Sequence, residues 1–438
     1  MIEFIVFSFV FLKVFWDFLL LKEPNVRIVV LACLLLSAGS AAVGVFAVLR
    51  KRALVGDVVA HSILPGICIA FLATGSKHPL FLLLGALGTG WLSLIVMNYI
   101  TVRSKIKEDT ATALSLSVFF GLGILLLTYI QHQGNASQSG LDKFLFGKAA
   151  SLLLEDVWIF GCISGVLMLV IGVLMKEFTL FSFDPLFSAV IGKPVRVLDF
   201  LLTAMTVLAV VVGIQAVGVV LMAAMLITPP AAARYWTNNV SVMVLLSAIF
   251  GMVGGYVGAF VSYLAPAMPT GPWIVVVVSL ITLFSILFAP QKGVLSKWLN
   301  HKTVRNRILK ENILKAMFQL LENQDTSQSL SLADITKKRS IPLLTLKRGI
   351  NFLIKDDFVH KKTGFYSLTD AGFQRGKRLV KLHRLWEVYL ATYLRLPTDH
   401  LHDDAETIEH ILTPQIEQEL EQLLNFPKAD PHQKTIPY

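Results

Sequence analysis

Asp57 and His61 lie within a long apolar stretch, in the sequence GDVVAHSILPG over residues 56–66. They are four residues apart, so a helix would present both side chains on one face. A carboxylate and an imidazole at membrane depth are costly, and such residues generally face a cavity or an ion pathway. The alternative is a buried pair that only holds helices together, and the spacing alone does not separate these two interpretations.

A second set of imidazole and carboxylate side chains lies near the C-terminus, at helical spacings within two short windows. Oxygen and nitrogen donors on the same sides of two adjacent helices can close around one or two divalent cations. Two ordinary solvated helix faces remain the alternative, because Glu and His are common at these spacings. The six residues are His383, Glu387, His402, Glu406, Glu409 and His410.

Composition divides the chain into a membrane part and a soluble part. Of its 438 residues 55% are hydrophobic, and the mean hydropathy is +0.67. Residues 1–290 hold 16 basic and 12 acidic residues, whereas residues 291–438 hold 23 and 17. Within the second part, residues 292–384 hold 20 basic and 7 acidic residues, and residues 385–438 hold 3 and 10. A basic module followed by an acidic one suggests that the first faces polyanions and the second faces cations.

The membrane part is predicted to be an all-α bundle of about nine transmembrane helices. Each span needs about 20 mostly apolar residues, and small residues within the spans favour close helix packing. Residues 1–21 are either an additional span or an interfacial helix, and both remain open. The spans are predicted near residues 28–49, 54–75, 79–100, 111–130, 157–175, 197–215, 217–236, 240–264 and 273–290.

The loops between the predicted spans set the orientation of the chain. Clusters such as RKR over residues 50–52 and RSKIK over 103–107 fall on one side, and nearly uncharged loops such as 131–139 fall on the other. Lys and Arg accumulate in cytoplasmic loops. The sequence therefore predicts a multi-pass protein of the bacterial inner membrane, with everything after Pro290 in the cytoplasm.

No phosphate-binding loop of the G-x-x-x-x-G-K-[ST] type occurs in the chain, so ATP-driven transport would need an ATPase on another polypeptide. The segment FSFDPLFSAVIGKPV over residues 181–195 is short, amphipathic and predicted to be cytoplasmic. It is a candidate contact for such an ATPase. An ordinary interfacial loop is the alternative from composition alone.

Four stretches of the membrane part together resemble the metal-ion permeases of the ABC-3 family: LRKRALVGDVVAHSILPGICIAF, IKEDTATALSLSVFFGLGILLL, FLFGKAASLLLEDV and AVGVVLMAAMLITPPAAARYW. That family supplies membrane subunits of bacterial importers for manganese, zinc or iron. The resemblance implies that Asp57 and His61 lie on the metal path. It also implies three partners, namely an ABC ATPase, an extracytoplasmic metal-binding protein, and either a second permease subunit or a second copy of this chain. The ATPase contact would include Phe183, Asp184, Pro185, Gly192 and Pro194.

The basic module has the layout of a winged helix-turn-helix domain. Apolar periodicity predicts a helix over residues 304–323, followed by helices in SLADITKK and in LLTLKRGINFLIK, which comes directly after Pro342. A hairpin turning at Thr363 and Gly364 follows. With a net charge of +13, the module is predicted to bind nucleic acid, and contact with anionic lipid is the alternative.

The predicted recognition helix has few side chains that could read bases. It begins with Leu343 and Leu344, and the candidate donors toward DNA are Thr345, Lys347 and Arg348. We therefore expect phosphate contacts and sparse sequence readout.

The segment YSLTDAGFQRGKRLVKLHRLWEVYLATYLRLPTDHLHDDAETIEHIL is similar to the dimerisation and metal-binding region of the DtxR family of metal-dependent repressors. The resemblance implies a dimer that binds operator DNA, and it assigns the six residues near the C-terminus to metal sites. Glu311 is the aligned ligand candidate from the first helix of the soluble part. This oxygen and nitrogen donor set suits Mn²⁺ or Fe²⁺ better than a soft-ligand zinc site, and Zn²⁺ stays open.

The sequence thus predicts four regions: a permease over 1–290, a linker over 291–303, a winged helix-turn-helix domain over 304–370 and a DtxR-like region over 371–438. The function predicted is a non-enzymatic permease subunit of an ATP-driven importer for divalent metal, fused to a metal-responsive repressor-like domain as in chlamydial-type bacteria. The alternative is a membrane-tethered metal sensor without transport activity. An intramembrane metalloenzyme is disfavoured, because the spans carry no H-E-x-x-H set.

Overall fold

The computed structural model describes residues 16–52, 54–76, 78–132, 152–264, 268–322, 329–362, 364–394 and 413–438. The chain divides into two compact units, Met1–Lys297 and Trp298–Tyr438. Each unit has its own hydrophobic core.

The first unit is helical in all of its described elements. Eight helical segments among the described residues are long and apolar enough to cross a membrane. The remaining predicted span, 217–236, is also helical over Val219–Trp236, and it contains Pro229 and Pro230. The helices are α1 (Pro24–Leu49), α2 (Val55–Ser62), α3 (Leu64–Thr74), α4 (Pro79–Arg103), α5 (Glu108–His132), α6 (Leu154–Val173), α7 (Met175–Phe183), α8 (Pro185–Val190), α9 (Val195–Val217), α10 (Val219–Trp236), α11 (Val240–Leu264) and α12 (Thr270–Phe288).

The second predicted span is divided into two helices, α2 and α3, that meet at Ile63. Pro65 has no amide hydrogen to donate to the carbonyl group of His61, and this interrupts the helical ladder directly after the Asp57–His61 segment. Ile63 itself keeps right-handed helical dihedral angles, with φ −78° and ψ −21°, so the two pieces together form one membrane span, Val55–Thr74.

Close backbone contact holds α3 against α4. A Cβ atom added at Gly66 would lie 2.0 Å from the carbonyl oxygen of Gly85, and one added at Gly85 would lie 2.3 Å from the carbonyl oxygen of Gly66. No larger residue fits this approach without a shift of the backbone. The pair shows the small-residue packing that the sequence predicted for the bundle.

The second unit contains helices and one hairpin, and the predicted fold class is confirmed. Its first helix begins at Val294, four residues before the unit itself, although the sequence predicted a linker up to residue 303. Residues 294–303 contain neither Gly nor Pro, so nothing in them interrupts a helix. The elements are α13 (Val294–Leu321), α14 (Leu332–Lys338), α15 (Leu343–Lys355), β1 (Val359–Lys362), β2 (Phe365–Leu368), α16 (Asp370–Tyr393) and α17 (Pro414–Leu423).

The hairpin turns at the place that the sequence predicted. Val359 pairs with Leu368 and Lys362 with Phe365, so the strands turn between Lys362 and Phe365. Gly364 has φ +85°, a left-handed conformation that glycine adopts without strain. The hairpin follows α15, where the wing of a winged helix lies.

Two apolar clusters organise the second unit. The larger one joins α13, α14, α15 and the hairpin through buried side chains that include Met317, Ile335 and Leu346. The smaller one joins α16, α17 and the C-terminal segment through Leu385, Leu420 and Ile436. The first cluster is the core of the winged helix, and the second holds the C-terminal region together.

Candidate functional site

Helix α2 carries the Asp57–His61 pair on one face. His61 Nε2 lies 3.5 Å from Asp57 Oδ1, and both side chains are partly exposed within the unit. The His61 ring meets the ring of Phe120 on α5 edge to face, with centroids 5.2 Å apart. Phe120 was missed by the sequence analysis, because its position depends on how α5 packs against α2.

The other ring nitrogen of His61, Nδ1, is buried and has no hydrogen-bond partner among the described residues. Buried polar atoms are nearly always hydrogen-bonded, so an unpartnered imidazole nitrogen calls for an explanation. An imidazole nitrogen and a carboxylate oxygen are both good ligands for divalent transition metals. The pair therefore offers two donors to a cation, although no group of three or more such ligands occurs among the described residues.

The predicted ATPase contact forms two short helices with a sharp corner between them. Helix α7 ends at Phe183, and Asp184 caps α8 by accepting a hydrogen bond from the amide of Phe187 at 2.8 Å. Pro185 takes the first position of α8, where its missing amide costs nothing.

Beyond α8, Gly192 has φ +79° and Pro194 caps α9. Apolar side chains along this corner are exposed, most of all Leu186 at 81% and Val190 at 83%. The region therefore presents an apolar knob held at both ends by turn residues.

Charged side chains near the start of α2 were also missed by the sequence analysis. Arg50 forms an ion pair with Asp199, and Arg52 lies 3.0 Å from Glu108. The signal available in the sequence was Asp199 itself, a charge just inside a predicted span.

The start of α15 lies beside α13 in an open, basic groove. Leu344 is 83% exposed, Lys347 and Arg348 are exposed, and Thr345 is half-buried. The side chains that line the groove include no acid; they are Trp298, His301, Lys302, Arg305, Asn306, Ile308, Leu309, Asn312, Leu344, Thr345 and Arg348. A surface of this composition attracts polyanions.

Three of the predicted regulatory ligands are described, and all three are buried. His383 Nε2 lies 3.1 Å from Glu387 Oε1 on α16, so this pair forms a compact nitrogen and oxygen donor set that fits a divalent ion. Glu311 on α13 accepts a hydrogen bond from Arg375 at 2.7 Å. A metal ion at Glu311 would have to compete with that guanidinium. The remaining predicted ligands, His402, Glu406, Glu409 and His410, lie outside the described residues.

Comparison with known proteins agrees with this architecture. A model of the ABC 3 transport family matches residues 22–289. A model of the metal binding and dimerisation domain of iron dependent repressors matches residues 369–438.

Several curated relatives match most of the chain or most of its membrane part. The manganese transport system membrane protein MntC of Bacillus subtilis is 43% identical over 86% of both chains. The zinc transport system membrane protein TroC of Treponema pallidum is 46% identical over 63% of this chain and 93% of its own length. A probable metal transport system membrane protein of Chlamydia trachomatis is 27% identical over 93% of this chain and 95% of its own length.

A solved structure shares the fold of the membrane part. PsaBC from Streptococcus pneumoniae in complex with Fab is 30% identical, with a TM-score of 0.58, and the match covers 67% of this chain and 99% of that chain. The chain therefore belongs to the ABC 3 transport family. It is a multi-pass membrane transport subunit with a repressor-type metal binding and dimerisation domain, as both sequence resemblances predicted.

Proposed function

We propose that this chain is the membrane permease of an ATP-driven importer for divalent metal ions. The observation that carries the proposal is the Asp57–His61 pair in a membrane span, with its buried and unpartnered imidazole nitrogen. The relatives named for manganese and zinc transport support the same class of cargo.

The geometry of the pair suits transport better than storage. Two donors on one face of a helix hold a divalent ion loosely, and a transport site must release its cargo as readily as it takes it up. Because Pro65 has no amide hydrogen, the carbonyl group of His61 lacks its helical hydrogen bond and can turn toward a passing ion. The pair therefore serves as a transient binding site on the metal path.

The apolar knob at α7 and α8 is the proposed docking surface for a separate ATPase subunit. Exposed Leu186 and Val190 would insert into a groove of that partner, while Asp184 and Gly192 hold the corner in shape. The assembly would also contain an extracytoplasmic metal-binding protein and a second permease, either another copy of this chain or a different subunit.

The C-terminal unit is proposed to be a cytoplasmic, metal-responsive regulator that dimerises and binds operator DNA. The Lys and Arg clusters of the loops favour a cytoplasmic location for it, and the basic groove beside α15 would meet phosphates. His383 and Glu387 would hold Mn²⁺ or Fe²⁺, or Zn²⁺, together with the predicted ligands on the segment after α16. When bound, the ion would favour the arrangement of the unit for which it has the higher affinity.

Uptake of radioactive manganese, iron and zinc tests the proposal in cells that co-express the ATPase and the binding protein. Asp57→Ala and His61→Ala are expected to abolish uptake while the protein is still inserted in the membrane. Asp109→Ala and His132→Ala, which remove the same groups from exposed positions at the ends of α5, serve as matched controls and should transport normally.

Near-normal uptake by both Asp57→Ala and His61→Ala would contradict the metal path and return the pair to a structural role. Absence of uptake by the parent protein under all three metals would favour the membrane-tethered sensor without transport activity.

A further inference from the structure

Four charged side chains form a cluster to which the proposed function gives no role. Arg50 follows the last residue of α1, Arg52 lies in the loop after it, Glu108 begins α5 and Asp199 lies near the start of α9. Arg50 Nη2 and Asp199 Oδ1 form an ion pair. Arg52 bridges two helices, with Nε 3.0 Å from Glu108 Oε1 and Nη1 3.5 Å from Asp199 Oδ1. We call these four residues the arginine clamp.

The clamp is partly buried, which makes its geometry specific. The Arg50 side chain is only 14% exposed. Burial lowers the pKa of Arg50, although the neighbouring Asp199 opposes that shift and favours the charged form. A charge in such a place is costly once its partner is removed, so Arg50 and Asp199 hold α1 and α9 together.

One side of the clamp touches the helix that leads to the docking surface. The Arg50 guanidinium carbon lies 4.6 Å from the ring centroid of Phe181, which is buried on α7. Helix α7 runs through Asp184 directly into α8, and α8 packs against α9, the helix of Asp199. A displacement of the docking surface would therefore reach Arg50 both through Phe181 and through Asp199.

The other side of the clamp fixes the start of the helix that carries the metal pair. The amide of Val55 donates a hydrogen bond to the carbonyl oxygen of Arg52 at 3.2 Å, and Asp57 lies in the first turn that follows. Helix α2 also packs against α5 and α9, which carry the two acids of the clamp.

A small cavity adjoins the two arginines. The polar residues Asn98, Thr203 and Thr206 are among those that line it, and its volume of about 30 Å³ is large enough for one or two water molecules. Such a space would allow the guanidinium groups to exchange carboxylate partners for water when the helices move.

We propose that Arg50 and Arg52 are positioning residues that couple ATPase docking at α7 and α8 to the Asp57–His61 pair. In the arrangement described here the clamp closes α1, α5 and α9 around the start of α2. Movement of the docking surface shifts Phe181 and Asp199 away from Arg50, which frees α2 and the metal pair. The inference rests on the proposed transport function, and it adds the path by which the ATPase would act on the metal site.

The test uses the full transporter, reconstituted in proteoliposomes with its ATPase and binding protein, and measures Mn²⁺ transported per ATP hydrolysed. Arg50→Ala is expected to lower this ratio about tenfold while ATP hydrolysis continues, because deletion of a buried, hydrogen-bonded charge is a large effect. Arg50→Lys keeps the charge, so its ratio of Mn²⁺ transported to ATP hydrolysed should lie between those of Arg50→Ala and the parent. The double reversal Arg50→Asp with Asp199→Arg should recover part of the ratio that each single reversal loses, as coupled residues do.

Lys51→Ala removes a neighbouring exposed cation outside the clamp and should leave the ratio unchanged. A parental ratio in Arg50→Ala would overturn the inference. So would a reduced ratio that neither Arg50→Lys nor the double reversal improves, since that pattern indicates a merely structural role. If the parent transports no metal at all, the proposed function itself fails, and Asp57→Ala then gives the same null result as the parent.

Discussion

His61 shows most directly what the sequence could and could not reveal about the site. Its distance of four residues from Asp57 predicted a shared helix face, and the structure places the two side chains 3.5 Å apart. The unpartnered Nδ1 and the Phe120 contact depend on packing between helices distant in sequence. Spacing within one element is therefore readable from the sequence, whereas the environment of a side chain is not.

Glu417 gives a second prediction at the scale of single residues, namely a pH dependence of stability. Burial raises its pKa, but hydrogen bonds from Lys381 and Arg378 outweigh that effect and leave the pKa below its ordinary value of 4.5. The ionised carboxylate therefore stabilises the folded unit above pH 4.5, and this stabilisation is lost as the pH falls through the lowered pKa.

Glu417→Gln should lower the free energy of unfolding of the C-terminal unit by about 1–3 kcal/mol at pH 7, with little difference from the parent well below pH 4. Thermal denaturation of the full chain, followed by tryptophan fluorescence at several pH values, measures this. Glu419→Gln, at an exposed position two residues away, is the control. Equal losses at pH 7 and at low pH would contradict the assigned titration.

Among the elements, the contact between α3 and α4 places a tight limit on residue size at Gly66 and Gly85. Gly66→Ala or Gly85→Ala would place a methyl group 2.0–2.3 Å from a carbonyl oxygen of the opposite helix, so the helices must separate. We expect a loss of about 1–3 kcal/mol, as for overpacked cores.

Thermal stability in detergent measures the effect of these glycine substitutions, with Gly88→Ala on the same helix as the control. A Cβ at Gly88 would meet nothing within 4 Å, and alanine is the better helix former. Stability as high for Gly66→Ala as for Gly88→Ala would show that the two helices separate without cost.

The apolar knob at α7 and α8 gives a second prediction at the scale of elements. Leu186→Asp together with Val190→Asp should prevent co-purification of the ATPase with the permease, because two charges would replace the most exposed apolar contacts of α8. Leu186→Met with Val190→Ile keeps the apolar surface and should retain the ATPase. Retention by the aspartate pair would move the docking surface elsewhere on the molecule.

Element boundaries differ in how far the sequence determines them. The spans and the hairpin were predictable, because apolar length and a Thr-Gly turn are local signals. The early start of α13 at Val294 was missed, although Val294, Leu295, Trp298 and Leu299 recur at helical spacing. Helix α17 was also missed, although Thr413 and Pro414 form an ordinary helix start before Ile416 and Leu420.

For the whole molecule, the prediction concerns communication between metal and DNA. The full chain in detergent should bind its operator DNA more tightly with Mn²⁺ or Fe²⁺ than without, and less tightly as salt rises, because neutralised phosphates release counterions. Glu409→Ala with His410→Ala should abolish the metal effect. Fluorescence anisotropy of labelled promoter DNA measures both.

Asp403→Ala with Asp404→Ala removes two carboxylates from the same segment that are outside the predicted ligand set, and it is the control. An affinity for DNA that no metal alters would contradict the sensor hypothesis for the C-terminal unit.

The two units of this protein belong to one chain, and five residues separate the last membrane helix, α12, from α13, the helix in which the second unit begins. In a transporter built from two such chains, each copy brings one dimerisation domain to the same small volume. A short tether of this kind gives an effective concentration on the order of millimolar. Dimerisation domains whose affinity for each other is too low for pairing in solution would then pair on the membrane. If the chain were cut between the units, the released domains would be diluted in the cytoplasm and the dimer would dissociate. The abundance of assembled transporter would thereby set how much of the regulator is dimeric.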